Sequence, residues 1–144
     1  MADILHEVTI DKSPGKVYEA LTQQKGLQAW WTEHAKAEAQ TGTVAEFSFY
    51  GGMVVFEFGV DALEPGQKVR WSVQQGPPGW ENTRITWDLA EVEGKTKVLF
   101  GHREWASTDG LYPSTSYNWA WYMTSLKAYV ETGQGSPHTD ADMG

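Results

Sequence analysis

Residues 114–133 read STSYNWAWYMTSLKAYVETG, and within them Trp119, Tyr122, Met123, Leu126, Tyr129 and Val130 stand at i, i+3, i+4, i+7, i+10 and i+11. That spacing is the apolar stripe of an amphipathic helix, and Gly133 is a natural stop at its C-terminal end. A helix of about 18 residues spans roughly 27 Å, enough to cross one face of a twisted sheet.

The chain upstream of this run follows a different period. In 4–10, Ile4, Val8 and Ile10 alternate, with His6 on their face, as in a half-buried strand. Ser13-Pro14 then opens a short helix carrying Val17, Ala20 and Leu21, and Gly26 opens a second with Leu27, Trp30 and Trp31. Residues 33–40 are ambiguous: their Ala and Glu content favours helix, while Ala35, Ala37 and Ala39 alternate as in a strand, the preferred reading.

Hairpin grammar follows. Ala45, Phe47 and Phe49 alternate up to Gly51-Gly52, and Val54, Phe56, Phe58 and Val60 share the next face. After the Pro65-Gly66 turn, Val69, Trp71 and Val73 alternate with Lys68, Arg70, Ser72 and Gln74. Beyond the loop at 76–79, Ile85, Trp87 and Leu89 share a face; Gly94-Lys95 then turns into a last strand whose alternation places Val98, Phe100, His102 and Glu104 inward.

The order is therefore strand, two short helices, about six strands in meander, and one long helix. This predicts an α+β fold, a curved antiparallel sheet of about seven strands with the long helix across its concave face, the only element available to cover it. At 144 residues there is room for one core, assigned to a single domain over 1–133, with the polar stretch 134–144 as a disordered tail.

Charge and composition narrow the partners. Eleven Lys and Arg against 19 Asp and Glu leave a net charge of −8, a field that repels phosphate backbones, so nucleic acid is not expected. Cysteine is absent, which removes disulfides, thiolate metal sites and a Cys nucleophile and fits a cytoplasmic protein. No apolar run approaches the roughly 18 residues of a membrane span, and MADILHEVTI lacks a signal-peptide pattern, so no membrane insertion is expected. Exposed strand edges would allow a homodimer.

Three sets of residues resemble a known family: Ser13-Pro14 with 17–22 (VYEALT), Gly26-Leu27 with Trp30-Trp31-Thr32, and 119–133 from Trp119 through Tyr122-Met123 to Gly133. Together, over about 3–137, they are similar to the SRPBCC superfamily (START, polyketide cyclase, birch-pollen allergen), in the branch of homologues of the C-terminal domain of the heat-shock-90 ATPase activator. The resemblance implies a helix-grip fold of seven strands and assigns 33–40 to the second. Superfamily members carry lipids, hormones or polyketides, and a minority catalyse cyclisation or hydrolysis, so fold alone does not deliver function. The eukaryotic activator adds an N-terminal domain and linker not found in these 144 residues, so a chaperone partner is implied less directly than a ligand.

Candidate site residues fall into two groups. His102 and Glu104, two apart on one strand face, would suit a general base and acid if buried together, although a core histidine satisfied by its neighbours fits the same pattern. Trp30, Phe47, Phe56, Trp71, Trp87, Phe100, Trp119 and Tyr122 all project toward one interior, where they either line a pocket for a flat or lipid-like molecule, oriented by His102 and Tyr122, or fill the space themselves. His6 and His34 come from distant segments without ligand spacing, and His138 belongs to the solvated tail, so neither metal nor cofactor is expected. No serine sits in a nucleophile elbow. The leading expectation is a module that binds a small hydrophobic or aromatic molecule; the alternatives are an enzyme using the His/Glu pair and a chaperone-related interaction domain.

Overall fold

A computed structural model describes residues 1–139. The elements run β1 (Ala2–Ile10), α1 (Pro14–Thr22), α2 (Gln24–Trp30), β2 (Ala35–Lys36), β3 (Val44–Phe49), β4 (Val54–Glu64), β5 (Lys68–Gln75), β6 (Arg84–Val92), β7 (Lys95–Trp105) and α3 (Tyr112–Thr132). The seven strands form one antiparallel sheet in the order β1-β7-β6-β5-β4-β3-β2. The α+β helix-grip architecture read from the sequence is thus the observed one. The ambiguous 33–40 segment does supply a strand, but only two residues of it pair, Ala35 with Phe47 and Lys36 with Glu46.

Alternation does its work along β3 to β6, where Phe47, Phe58, Val69, Trp71, Ile85 and Trp87 are buried while Arg70 and Asp88 form a 2.7 Å ion pair on the outer side. Against this floor α3 lays Trp119, Met123 and Leu126. It ends as expected: Gly133 adopts the left-handed conformation at φ 88° and its N–H donates to the Tyr129 carbonyl at 2.7 Å.

Three expectations need correction. First, the alternation of β7 breaks after His102. Ala2 faces Trp105 and Ile4 faces His102, so β7 spends one residue more than β1, a bulge. Glu104 sits in it at φ 69°, its N–H donating to Asp3 Oδ1 at 3.0 Å. The extra residue turns Glu104 outward, 2.9 Å from Arg84 Nε, and turns Trp105 into the core. No inward His102–Glu104 pair exists.

Second, α3 covers part of the β1 edge. Its carbonyls receive hydrogen bonds from α3, with Tyr112 Oη donating to Asp3 O and Lys127 Nζ to Thr9 O, while His6 Nε2 donates to the Ser116 carbonyl at 3.1 Å. Two carbonyls of β1 are thereby taken by side chains of α3.

Third, residues 134–139 are not a disordered tail. His138 N–H donates to the Trp31 carbonyl at 2.8 Å and its own carbonyl accepts from Glu33 N–H at 3.1 Å, forming a parallel bridge at Thr32. Ser136 N–H reaches Ser125 Oγ, whose hydroxyl donates to Trp30 O, both at 2.7 Å. The crossing is only as wide as a glycine: a Cβ on Gly135 would stand 2.5 Å from the Ala29 carbonyl oxygen. The remainder of the expected tail, 140–144, lies outside the described residues.

Candidate functional site

The buried imidazole of His102 is at the centre of a directional chain. Trp119 Nε1–H can only donate, and it lies 3.0 Å from His102 Nδ1, so Nδ1 carries the lone pair and the ring proton is on Nε2. Nε2 then donates to Thr83 Oγ1 at 2.8 Å, and Thr83 donates to the Trp80 carbonyl at 2.5 Å. Burial pushes the imidazole pKa down to about 3. With both nitrogens spent and the ring held neutral, His102 has the geometry of a tie between α3, β7 and the 76–83 loop rather than of a proton shuttle. The remaining histidines do not converge: His6 bonds Ser116, His34 lies 3.4 Å from Glu33, and His138 packs at 5.1 Å on Phe49 and 4.7 Å on Tyr50. Among the described residues, no group of three or more His, Asp or Glu could hold a metal ion, and no helix is long and apolar enough to cross a membrane.

Most of the aromatic candidates fill the interior. Trp30 donates its indole N–H to Ala20 O at 2.8 Å and meets Trp87 edge-on. Trp87 and Phe100 lie 4.7 Å apart, Phe47 is 4.4 Å from Trp31, and on the helix side Trp71 packs 5.4 Å from Phe58 beside a crevice of about 10 Å³. These five and His102 are packed core.

Between helix and sheet a hollow of about 250 Å³ lies at one end of the sheet, beneath the N-terminal half of α3. From α3 it is lined by Thr115, Asn118, Trp119 and Tyr122, which stand at i, i+3, i+4 and i+7 and so share one helix face. From the sheet come Phe49, Val54 and Phe56, from the β3–β4 turn Tyr50, and from the flanking loops Trp31 and Trp80. Trp80 stacks on Phe56 with centroids 4.5 Å apart and hydrogen-bonds Thr115 Oγ1 through Nε1 at 3.2 Å; Trp31 lies 5.0 Å from Trp119. No lining residue is charged, so the site suits neutral, apolar surface. Of the sequence candidates, Phe56, Trp119 and Tyr122 reach it.

The family model for Activator of Hsp90 ATPase homolog 1-like proteins matches residues 11–131. The chain belongs to this family. The solution structure of the Aha1 dimer from Colwellia psychrerythraea is 36% identical, with a TM-score of 0.85, over 94% of this chain and 100% of that one. Crystal structures from Staphylococcus saprophyticus (17% identity, TM-score 0.79, 96% and 98% coverage) and Mesorhizobium loti (19%, 0.76, 88% and 94%) share the fold. No curated protein matches the chain. The family match and the Colwellia likeness place this chain in the SRPBCC superfamily, as its end motifs implied.

Within this family member, the lining residues that sequence reading passed over are Trp31, Phe49, Tyr50, Val54, Trp80, Thr115 and Asn118. Trp80 lies in a loop with no periodicity to give it a direction. Its only signal is that a large aromatic side chain follows a Pro-Pro-Gly turn, in a segment otherwise polar. Thr115 and Asn118 fall on the stripe of α3 once the helix phase is extended back one turn from Trp119.

Proposed function

We propose that this protein is a cytoplasmic binding module that holds a compact hydrophobic or aromatic molecule in the pocket between α3 and the β3–β4 end of the sheet. The observation that carries this reading is the hollow itself: a core otherwise filled by aromatic side chains leaves about 250 Å³ walled by uncharged groups. The size suits a one- or two-ring molecule, below the 300–1,000 Å³ or so of drug-sized sites. An enzyme built on His102 and Glu104 lacks support, since one is spent in a neutral hydrogen-bond chain and the other is on the outer face.

Titration with the neutral dye N-phenyl-1-naphthylamine tests this. Saturable fluorescence enhancement with one site is expected, together with loss of at least about tenfold in affinity for Val54→Trp, which would fill the hollow. Absence of saturable binding would count against the reading, and native mass spectrometry of protein from its own cells would identify a resident ligand.

A second reading, association with another copy, is favoured by the outer face of α3. From 112 to 126 the helix carries no charge, and Tyr117 and Trp121, one turn apart, are 72% and 49% exposed. On a chain of net charge −8, such a face is where two copies approach with least repulsion. The Colwellia relative is described as a dimer. A chaperone partner, suggested by the family's description, would compete for the same face. Trp121→Glu should abolish self-association in sedimentation velocity; an unchanged mass distribution that is dimeric in both would exclude this face.

A further inference from the structure

Three other threonines in the helices, Thr22, Thr124 and Thr132, donate their hydroxyl protons to the carbonyl four residues back. Thr115 does not. It is only 5% exposed, its Oγ1 accepts from the Trp80 indole at 3.2 Å, and its own proton makes no hydrogen bond among the described residues. The residue lines the pocket. A buried hydroxyl with its acceptor side used and its donor side unused is costly unless something in the pocket takes the proton.

We infer that the pocket is specific for a neutral, planar aromatic molecule bearing a carbonyl group, whose oxygen accepts the Thr115 hydroxyl proton. This rests on the binding reading above and adds the ligand's chemical class. An aromatic ligand fits the walls, which are themselves aromatic: Phe56 and Trp80 stack on each other with centroids 4.5 Å apart, and Trp31 lies 5.0 Å from Trp119 at a 41° tilt. Neutrality follows from the absence of any charged lining group, which would leave a buried ion unpaired. The need for an acceptor follows from the donor accounting: the indole N–H groups of Trp80 and Trp119, which flank Thr115, are already given to Thr115 and His102. The Thr115 hydroxyl is thus the donor these neighbours leave for a ligand, and Asn118 one turn on brings an amide to the same helix face. At about 30 Å³ of liquid per water, the hollow equals about eight waters, room for two fused rings and a small substituent.

A matched pair of probes separates this from simple apolar binding. 2-Acetylnaphthalene and 2-isopropenylnaphthalene share one skeleton and nearly one size, with the carbonyl oxygen of one replaced by a methylene in the other. In NMR titrations of the full chain, the ketone is expected to bind about five- to tenfold tighter, although it is the less hydrophobic of the two. It should shift the Trp80 indole N–H downfield, because an oxygen that donates becomes a better acceptor; the alkene should not. Thr115→Ser should keep the preference and Thr115→Val should reverse it. Equal or weaker binding of the ketone by the wild type, or a preference that survives Thr115→Val, would overturn the inference and leave the pocket standing. Failure of both probes to bind would remove the binding reading and this one together. Should Thr115→Val not fold, the wild-type ratio and the Trp80 shift decide.

Discussion

Trp119 Nε1 and His102 Nδ1 stand 3.0 Å apart, and because an indole N–H can only donate, this one bond sets the tautomer of a fully buried histidine. The ring cannot accept a second proton on Nδ1 without facing one donor with another.

A pH dependence of stability follows. Burial holds the folded-state pKa of His102 at about 3, well below the usual 6.5. As pH falls below 6.5 the unfolded chain takes up the proton first, so the stability contributed by the neutral imidazole is complete above about pH 6.5 and is lost progressively down to about pH 3. The slope is roughly 1.4 kcal/mol per pH unit within that window. Urea midpoints from pH 7 to pH 4 should fall more steeply for the wild type than for His102→Gln. Parallel curves would mean the imidazole is not held neutral.

Trp71 is 3% exposed and packs at 5.4 Å on Phe58, away from the pocket. Trp71→Ala is expected to cost about 3–5 kcal/mol in denaturant unfolding. A loss under about 1 kcal/mol would show that the centre of the core is not packed around it.

Glu104 has a left-handed backbone and a half-exposed carboxylate paired with Arg84. Glu104→Gly removes a surface ion pair of about 0–1 kcal/mol and relieves a conformation that glycine adopts freely. The net change should be within about 1 kcal/mol of zero, with probe binding unaltered. A fall of several kcal/mol, or loss of binding, would mean that the carboxylate turns inward after all.

His138, 4% exposed, accepts the Tyr50 backbone N–H through Nε2 at 3.1 Å and packs on Phe49, so it backs one wall of the pocket from behind. His138→Ala should cost about 1–3 kcal/mol. It should also speed hydrogen exchange at the Tyr50 amide and weaken probe binding several-fold. An unchanged exchange rate at Tyr50 would show that the 134–139 segment does not support the turn.

The architecture was legible in the sequence because it depends on local periods: alternation marks β1 and β3 to β7, and the spacing of Trp119, Met123 and Leu126 marks α3. The same alternation misled at Glu104, since a single bulge residue inverts every side chain after it, and nothing in 98–105 announces one. His138 read as tail because its partners, Trp31 and Tyr50, are about ninety residues or more distant along the chain.

Aromatic content and phase determined that a sheet and a long helix would enclose one apolar interior. Which aromatics would fill it and which would border a vacancy was decided only in three dimensions. Trp87 and Phe56 share the same strand periodicity and chemistry, and yet the first is fully buried among Trp30, Trp71 and Phe100 while the second edges a hollow. The difference arises where Trp80, from a loop without period, stops short of closing the end of the sheet. Packing is a sum over distant neighbours, whereas periodicity reports only on adjacent ones.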